Sequence, residues 1–298
     1  MIKRTLYFGN PAYLRTSKEQ LLIELPETGE IKTAVIEDIG LIILDHQQVT
    51  ITQALISKLL SNNVALITCD SSRHPTGLML NLDGHTLQSQ KFQYQIGASV
   101  PLKKQLWQQT IEAKLYNQAA MLKHEHADNK YILHLISKVK SGDSDNCEAQ
   151  AAAYYWKWIF PDFLSFKRER DGAPPNNLLN YGYAILRALV ARSLVGSGLL
   201  PTLGIFHKNQ YNAYCLADDI MEPYRPFVDR VVCQIVRGNG RFLEMTPSMK
   251  KALLEIPVMD VEIDGQKSPL MNAVQRTTAS LARCFEGKIR RILYPNFI

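Results

Sequence analysis

Short apolar runs rich in Ile, Leu, Val and Tyr open the chain, at residues 5–8, 21–25, 34–36, 41–44 and 64–68. Turn-prone Gly9-Asn10-Pro11, Glu27-Thr28-Gly29 and Asp38-Ile39-Gly40 separate them. Runs of this length and spacing predict short strands, here a small antiparallel sheet domain. One helix interrupts it over residues 52–60, with Ala54, Leu55, Leu59 and Leu60 on its buried face. After Asp83-Gly84 the period changes. Residues 99–140, 143–159, 176–195, 223–236 and 269–291 carry helical periodicity. In the first of these stretches Leu106, Trp107, Ile111, Leu115, Ala119 and Leu122 recur at steps of one, three or four, as a core-facing stripe requires. The pattern predicts an α+β protein: an N-terminal β-sheet domain over 1–90 and a larger all-helical C-terminal domain over 91–298, joined between residues 84 and 100.

Composition narrows the class. A length of 298 residues fits two domains, and a 46% hydrophobic share supplies a core for each. The net charge of +6 suits a polyanionic partner without requiring one. The five cysteines are odd in number, scattered, and never paired as C-x-x-C, which argues against a disulfide framework or a zinc knuckle and for a reducing cytoplasm. Neither an N-terminal apolar segment of signal-peptide length nor a run of about 18 apolar residues occurs, so the expectation is a soluble cytoplasmic protein.

The candidate chemistry is a divided set of metal-ligand residue types. Glu148 begins a helix that Asp143, Ser144 or Asp145 would cap, and steps of four, three and four from it reach Ala152, Tyr155 and Ile159. A first-turn Glu ordinarily complements the helix dipole. This one is in line with an apolar stripe, and a carboxylate aimed at a core needs a cation or strong hydrogen bonds. His207 follows Gly204-Ile205-Phe206 at a loop edge, where a lone His is most often a surface residue. The acids Asp218, Asp219 and Glu222 follow eleven to fifteen positions later, spaced to share neighbouring helix faces before Pro223 and Pro226. Either an acid-rich helix entrance, partly neutralised by Arg225 and Arg230, or a site for a hard divalent cation, Mg2+ or Mn2+, accounts for them. Such an ion polarises a phosphodiester, which points to nucleic-acid chemistry.

Basic residues that could meet phosphates are Lys167, Arg168, Arg170, Arg237, Arg241 and Lys250. Such contacts give affinity and salt dependence but little sequence choice. Gly238-Asn239-Gly240 is too short for a nucleotide fingerprint and reads as a turn.

The segments Arg4 to Leu14, Asn62 to Asp70, Asn177 to Ala184 and the acidic stretch through Pro226 make the chain resemble the CRISPR-associated integrase, protein one of the adaptation pair, in the form found with type II systems. The resemblance covers essentially the whole chain. It implies a metal triad of Glu148, His207 and Glu222, with Asp219 matching a further acid of the same motif. It implies a β domain that mediates homodimerisation and a helical domain that carries the site. Two dimers bridged by a dimer of CRISPR-associated protein two would bind a duplex prespacer, whose 3'-hydroxyl attacks a phosphodiester at a CRISPR repeat. A metal-dependent structure-specific nuclease and a non-catalytic DNA-binding scaffold are the alternatives.

Overall fold

The computed structural model describes residues 3–161, 163, 166–169, 172–240 and 242–297. Strands β1 (Arg4–Phe8), β2 (Ala12–Ser17), β3 (Gln20–Leu25), β4 (Glu30–Val35), β5 (Ile39–Leu44) and β6 (Val49–Ile51) precede helix α1 (Gln53–Ser61). Strands β7 (Ala65–Cys69) and β8 (Pro75–Met79) follow it. They form two four-stranded sheets, ordered β1-β5-β7-β8 and β4-β3-β2-β6. The Thr52 side chain caps α1 by accepting from the Leu55 amide at 3.4 Å, and Leu55 and Leu59 enter the seam between the sheets.

The sheets are mixed rather than antiparallel: β1 with β5, β5 with β7, and β2 with β6 all pair parallel. The continuous apolar run of β5 is the mark of a strand buried on both faces, as parallel strands are. Leu41 and Ile43 of β5 and Ala65 and Ile67 of β7 enter the helical core, while Ile42 and Leu66 fill the seam. Ile39 and Gly40, expected in a turn, are the first two residues of β5. One sheet is therefore a middle layer between the other sheet and the helices.

The helices are α2 (Gln88–Ile96), α3 (Val100–His124), α4 (Lys130–Ile136), α5 (Cys147–Trp158), α6 (Asn176–Gly196), α7 (Cys215–Met221), α8 (Arg225–Asn239), α9 (Pro247–Leu254) and α10 (Leu270–Phe285). The N-terminal strand-rich and C-terminal helical division is as expected. The helical part is not free of strands: β9 (Asp260–Ile263) and β10 (Gln266–Pro269) form a hairpin between α9 and α10. Its two turn residues, Asp264 and Gly265, both have positive φ (54° and 70°), the backbone that a two-residue hairpin loop demands. Gly238 and Asn239 end α8, so no free turn occurs there.

Helix α6 is the axis of the helical layer, packing against α7, α8, α9 and α10 and also against β7 and β8. Helix α3, capped by Ser99 through the Leu102 amide at 3.3 Å, packs against α4, α5 and α8 and against the turn that follows α7. Among the described residues no helix is long and apolar enough to cross a membrane.

Candidate metal centre

The loop that carries His207 is shaped around one carboxylate. Asp219 lies in α7 with no solvent exposure. Its Oδ2 accepts from the Ile205 and Phe206 amides at 2.7 and 2.9 Å, and its Oδ1 from the His207 amide at 3.2 Å and from the His207 ring at Nδ1. A Cβ on Gly204 would lie 2.4 Å from the His207 carbonyl oxygen and 2.8 Å from Asp219 Oδ2, so this wrap requires glycine. Phe206 stacks on Trp107 of α3 with ring centroids 4.2 Å apart, and the same indole meets the His207 ring edge-on at 5.7 Å. The hydrogen bond to Asp219 raises the His207 pKa, against the opposing effect of burial. With Nδ1–H committed to Asp219, Nε2 is the ring nitrogen left for a ligand.

The two glutamates come from different elements and meet at a third. Glu148 opens α5, which Asp143 caps by accepting from the Cys147 and Glu148 amides at 2.9 and 3.0 Å. Glu222 lies in a 3-10 turn, Glu222–Tyr224, between α7 and α8. Asn117 of α3 holds that turn by donating to the Pro223 carbonyl at 2.8 Å and to that of Pro295 at 3.0 Å. Between the carboxylates stands the ammonium of Lys114, also on α3, which donates to Glu148 Oε1 and lies 2.6 Å from Glu222 Oε2. Arg225 grips the other oxygen of Glu222 at 2.9 Å. Burial would raise the Glu222 pKa, but Arg225 and Lys114 outweigh it and hold the carboxyl below its ordinary value. In turn, Glu222 and Glu148 overcome the burial penalty on Lys114 and raise its pKa.

The structure thus draws Glu148 and Glu222 together, with His207 close enough that Glu222 raises its pKa. Asp218 faces elsewhere: it accepts from Arg187 at 2.7 and 3.1 Å and from Asn212 at 2.7 Å. Asp219 spends its oxygens on the loop. Among the described residues no three His, Cys, Asp or Glu side chains are gathered into an ion cage. Two carboxylates and an imidazole nitrogen suit Mg2+ or Mn2+, and Glu222 Oε2 is buried against the Lys114 ammonium at 2.6 Å. The residues present fit such an ion once the ammonium between them yields its place. The periodicity that found the α3 stripe passed over Lys114, which lies between Ile111 and Gln118 on the buried side and is only 6% exposed.

The basic residues divide. Lys167 is exposed, and Arg237 is exposed but paired with Glu125. Arg168 is half-buried, donating to Asn176 at 3.0 Å and Asn180 at 2.6 Å, and it lies over the Tyr183 ring whose other neighbour is Arg225. Arg170 and Arg241 lie outside the described residues. Lys250 is corrected: it is buried, its ammonium 2.9 Å from Asp45, and it presents no charge to a phosphate.

Residues 6–241 match the family described as CRISPR associated protein Cas1. A CRISPR-associated endonuclease Cas1 from Neisseria meningitidis serogroup C (strain 8013) is 37% identical over 282 residues, 94% of this chain and 91% of the relative. A casposase bound to integration product has the same fold, with a TM-score of 0.81 at 19% identity over 98% of this chain and 92% of that one. A chain of a Cas6-RT-Cas1–Cas2 complex matches with a TM-score of 0.75 at 17% identity, over 97% of this chain and 35% of its own. The family match runs from β1 past the end of α8 and takes in every element that supplies Glu148, His207 and Glu222, and the chain belongs to the Cas1 family.

Proposed function

We propose that the protein is a metal-dependent DNA integrase of CRISPR adaptation, joining prespacer 3'-hydroxyl ends to repeat phosphodiesters. The observation that carries this is the convergence of Glu148 and Glu222, from α5 and from the turn after α7, on one cationic position beside an oriented imidazole. Mg2+ or Mn2+ held by Glu148, His207 and Glu222 would polarise the target phosphate and steady the charge on its oxygens. Asp219 keeps the His207 tautomer with Nε2 free, and Arg225 and Asn117 hold the Glu222 turn in place. The 3'-oxygen of the incoming strand forms the new P–O bond while the 3'-oxygen of the repeat strand departs and takes up a proton. One phosphodiester forms for each one broken, so no energy source and no covalent enzyme intermediate are needed.

The printed names of its likenesses support the partners: a casposase with integration product, and a complex that contains Cas2. On this reading the protein works as a homodimer, two dimers joined by Cas2 in a heterohexamer, on duplex DNA. Lys167, Arg168 and Arg237 are the described candidates for phosphate contacts. The endonuclease name of the Neisseria relative favours a second reading, in which water replaces the hydroxyl and the same residues cut DNA.

Labelled prespacer duplex and a supercoiled plasmid carrying a repeat, incubated with the protein and Cas2 in Mn2+ or in chelator, test this directly. Transfer of label that needs metal and a free 3'-hydroxyl is expected. Glu148→Ala should keep the fold and duplex binding and lose transfer. Nicking without joining would favour the nuclease, and binding indifferent to chelator, with no strand chemistry, a scaffold.

A further inference from the structure

The structure assigns Lys114 a positioning role not carried by the triad: its ammonium is the built-in cation of the metal-free site, and a divalent ion must displace it to enter. The inference rests on the metal-dependent reading above. Lys114 touches one oxygen of each of the two carboxylates, Glu148 and Glu222, that would hold the ion. Its side chain and that of Glu222 are each only 7% exposed, so little solvent is at hand to screen them.

Charge balance forces the exchange. Glu148 and Glu222 carry two negative charges, and Lys114 and Arg225 two positive ones, so the four side chains are neutral without an ion. Asp219 stands apart from this set, its oxygens taken by three backbone amides and the His207 ring. A divalent cation added to the neutral set would face an ammonium on the same oxygens, at distances where like charges repel strongly in a buried site. One cation has to leave. Arg225 is the more constrained of the two: its planar guanidinium is paired with Glu222 at 2.9 Å and laid over the Tyr183 ring at 4.8 Å. Lys114 is a point charge on a flexible four-carbon stem, free to swing its ammonium where a planar, stacked guanidinium is not. Withdrawing that ammonium leaves Glu148, Glu222 and Arg225 with a net single negative charge facing the incoming ion. Lys114 therefore holds the carboxylates in place without metal and sets how tightly metal binds.

The test is Mn2+ binding to the full chain by titration calorimetry, alongside melting temperature with and without Mn2+, for wild type and Lys114→Met. The metal-free variant is expected to melt lower than wild type, to bind Mn2+ roughly tenfold more tightly or better, and to gain more in melting temperature from it. A merely structural lysine would lower the melting temperature without tightening Mn2+ binding, so unchanged or weaker binding in the variant overturns the proposal. If neither protein binds Mn2+, the metal-dependent reading fails and takes this inference with it; if wild type binds, that reading stands whatever the variant does. Lys114→Gln, run in parallel, keeps a polar group without the charge and should also bind more tightly. Should neither variant fold, reductive methylation of wild type decides: Mn2+ must increase labelling of Lys114, and unchanged labelling overturns the displacement.

Discussion

Asp219 accepts on both oxygens, from the Ile205, Phe206 and His207 amides and from the His207 ring. Asp219→Asn replaces an acceptor of three backbone amides and a ring N–H with a group that also donates, leaving at least one buried amide unpaired. The expected cost is about 1–3 kcal/mol of stability, read by denaturant unfolding. Strand transfer should fall by roughly 10- to 100-fold as His207 loses its orientation; full activity would show that the imidazole needs no such anchor. Residue types and spacing drew attention to Glu148, His207 and the cluster Asp218, Asp219 and Glu222, because a carboxylate in an apolar stripe and a histidine ahead of an acid cluster leave a trace in the sequence; the choice of Glu222 within that cluster came from the family resemblance. Spacing could not say which acid turns towards backbone amides, since Asp218, Asp219 and Glu222 lie within five residues and the chain bends between α7 and α8. Lys114 was hidden for the opposite reason. It occupies a core position on α3, where periodicity anticipates an apolar residue, and its partners are 34 and 108 residues away.

Three helices meet on a single acid. Asp229 of α8 accepts from Tyr155 of α5 at 2.8 Å and from Tyr183 of α6 at 2.5 Å, and burial pushes its carboxyl up to about 6 despite those bonds and the nearby Arg225 and Arg168. A folded-state value above the unfolded one means that the folded protein holds this proton more tightly. The contribution of Asp229 is thus full below its ordinary value of 3.8 and is lost as pH rises through about 6. Over that window stability should fall by about 3 kcal/mol on account of this group, the reverse of a salt-bridged carboxylate. Unfolding free energies measured from pH 4 to 7 should show this component in wild type and not in Asp229→Asn; identical slopes would place the titration elsewhere. At this scale the long helices were readable from apolar spacing, whereas β2, β6 and β8 lack a continuous apolar run and left little trace. The β9–β10 hairpin was legible in principle, through Asp264-Gly265 after the alternating Val261-Glu262-Ile263.

The sheets and the helices are joined by buried charge as well as by apolar packing. Lys250 of α9 meets Asp45, which follows β5, at 2.9 Å, with the Tyr7 hydroxyl donating to the same carboxylate and Arg73 3.6 Å away. Lys250→Met strands a fully buried carboxylate and should cost about 3–5 kcal/mol, towards the lower figure because Tyr7 and Arg73 stay. The salt dependence of DNA binding should not change in this variant, since no phosphate contact is lost; a shallower salt slope would return Lys250 to the DNA. The pattern of the chain separated strands from helices but could not reveal that they share a core, because a run buried on two faces looks the same whatever lies on either side. Leu41, Ile43, Ala65 and Ile67 serve the helices from within the sheet, and Ile42 and Leu66 serve the opposite side. The two halves are therefore poor units of exchange. A recombination joint between β8 and α2 would set those four side chains against a surface that had not evolved with them, so strands and helices are bound to be inherited together.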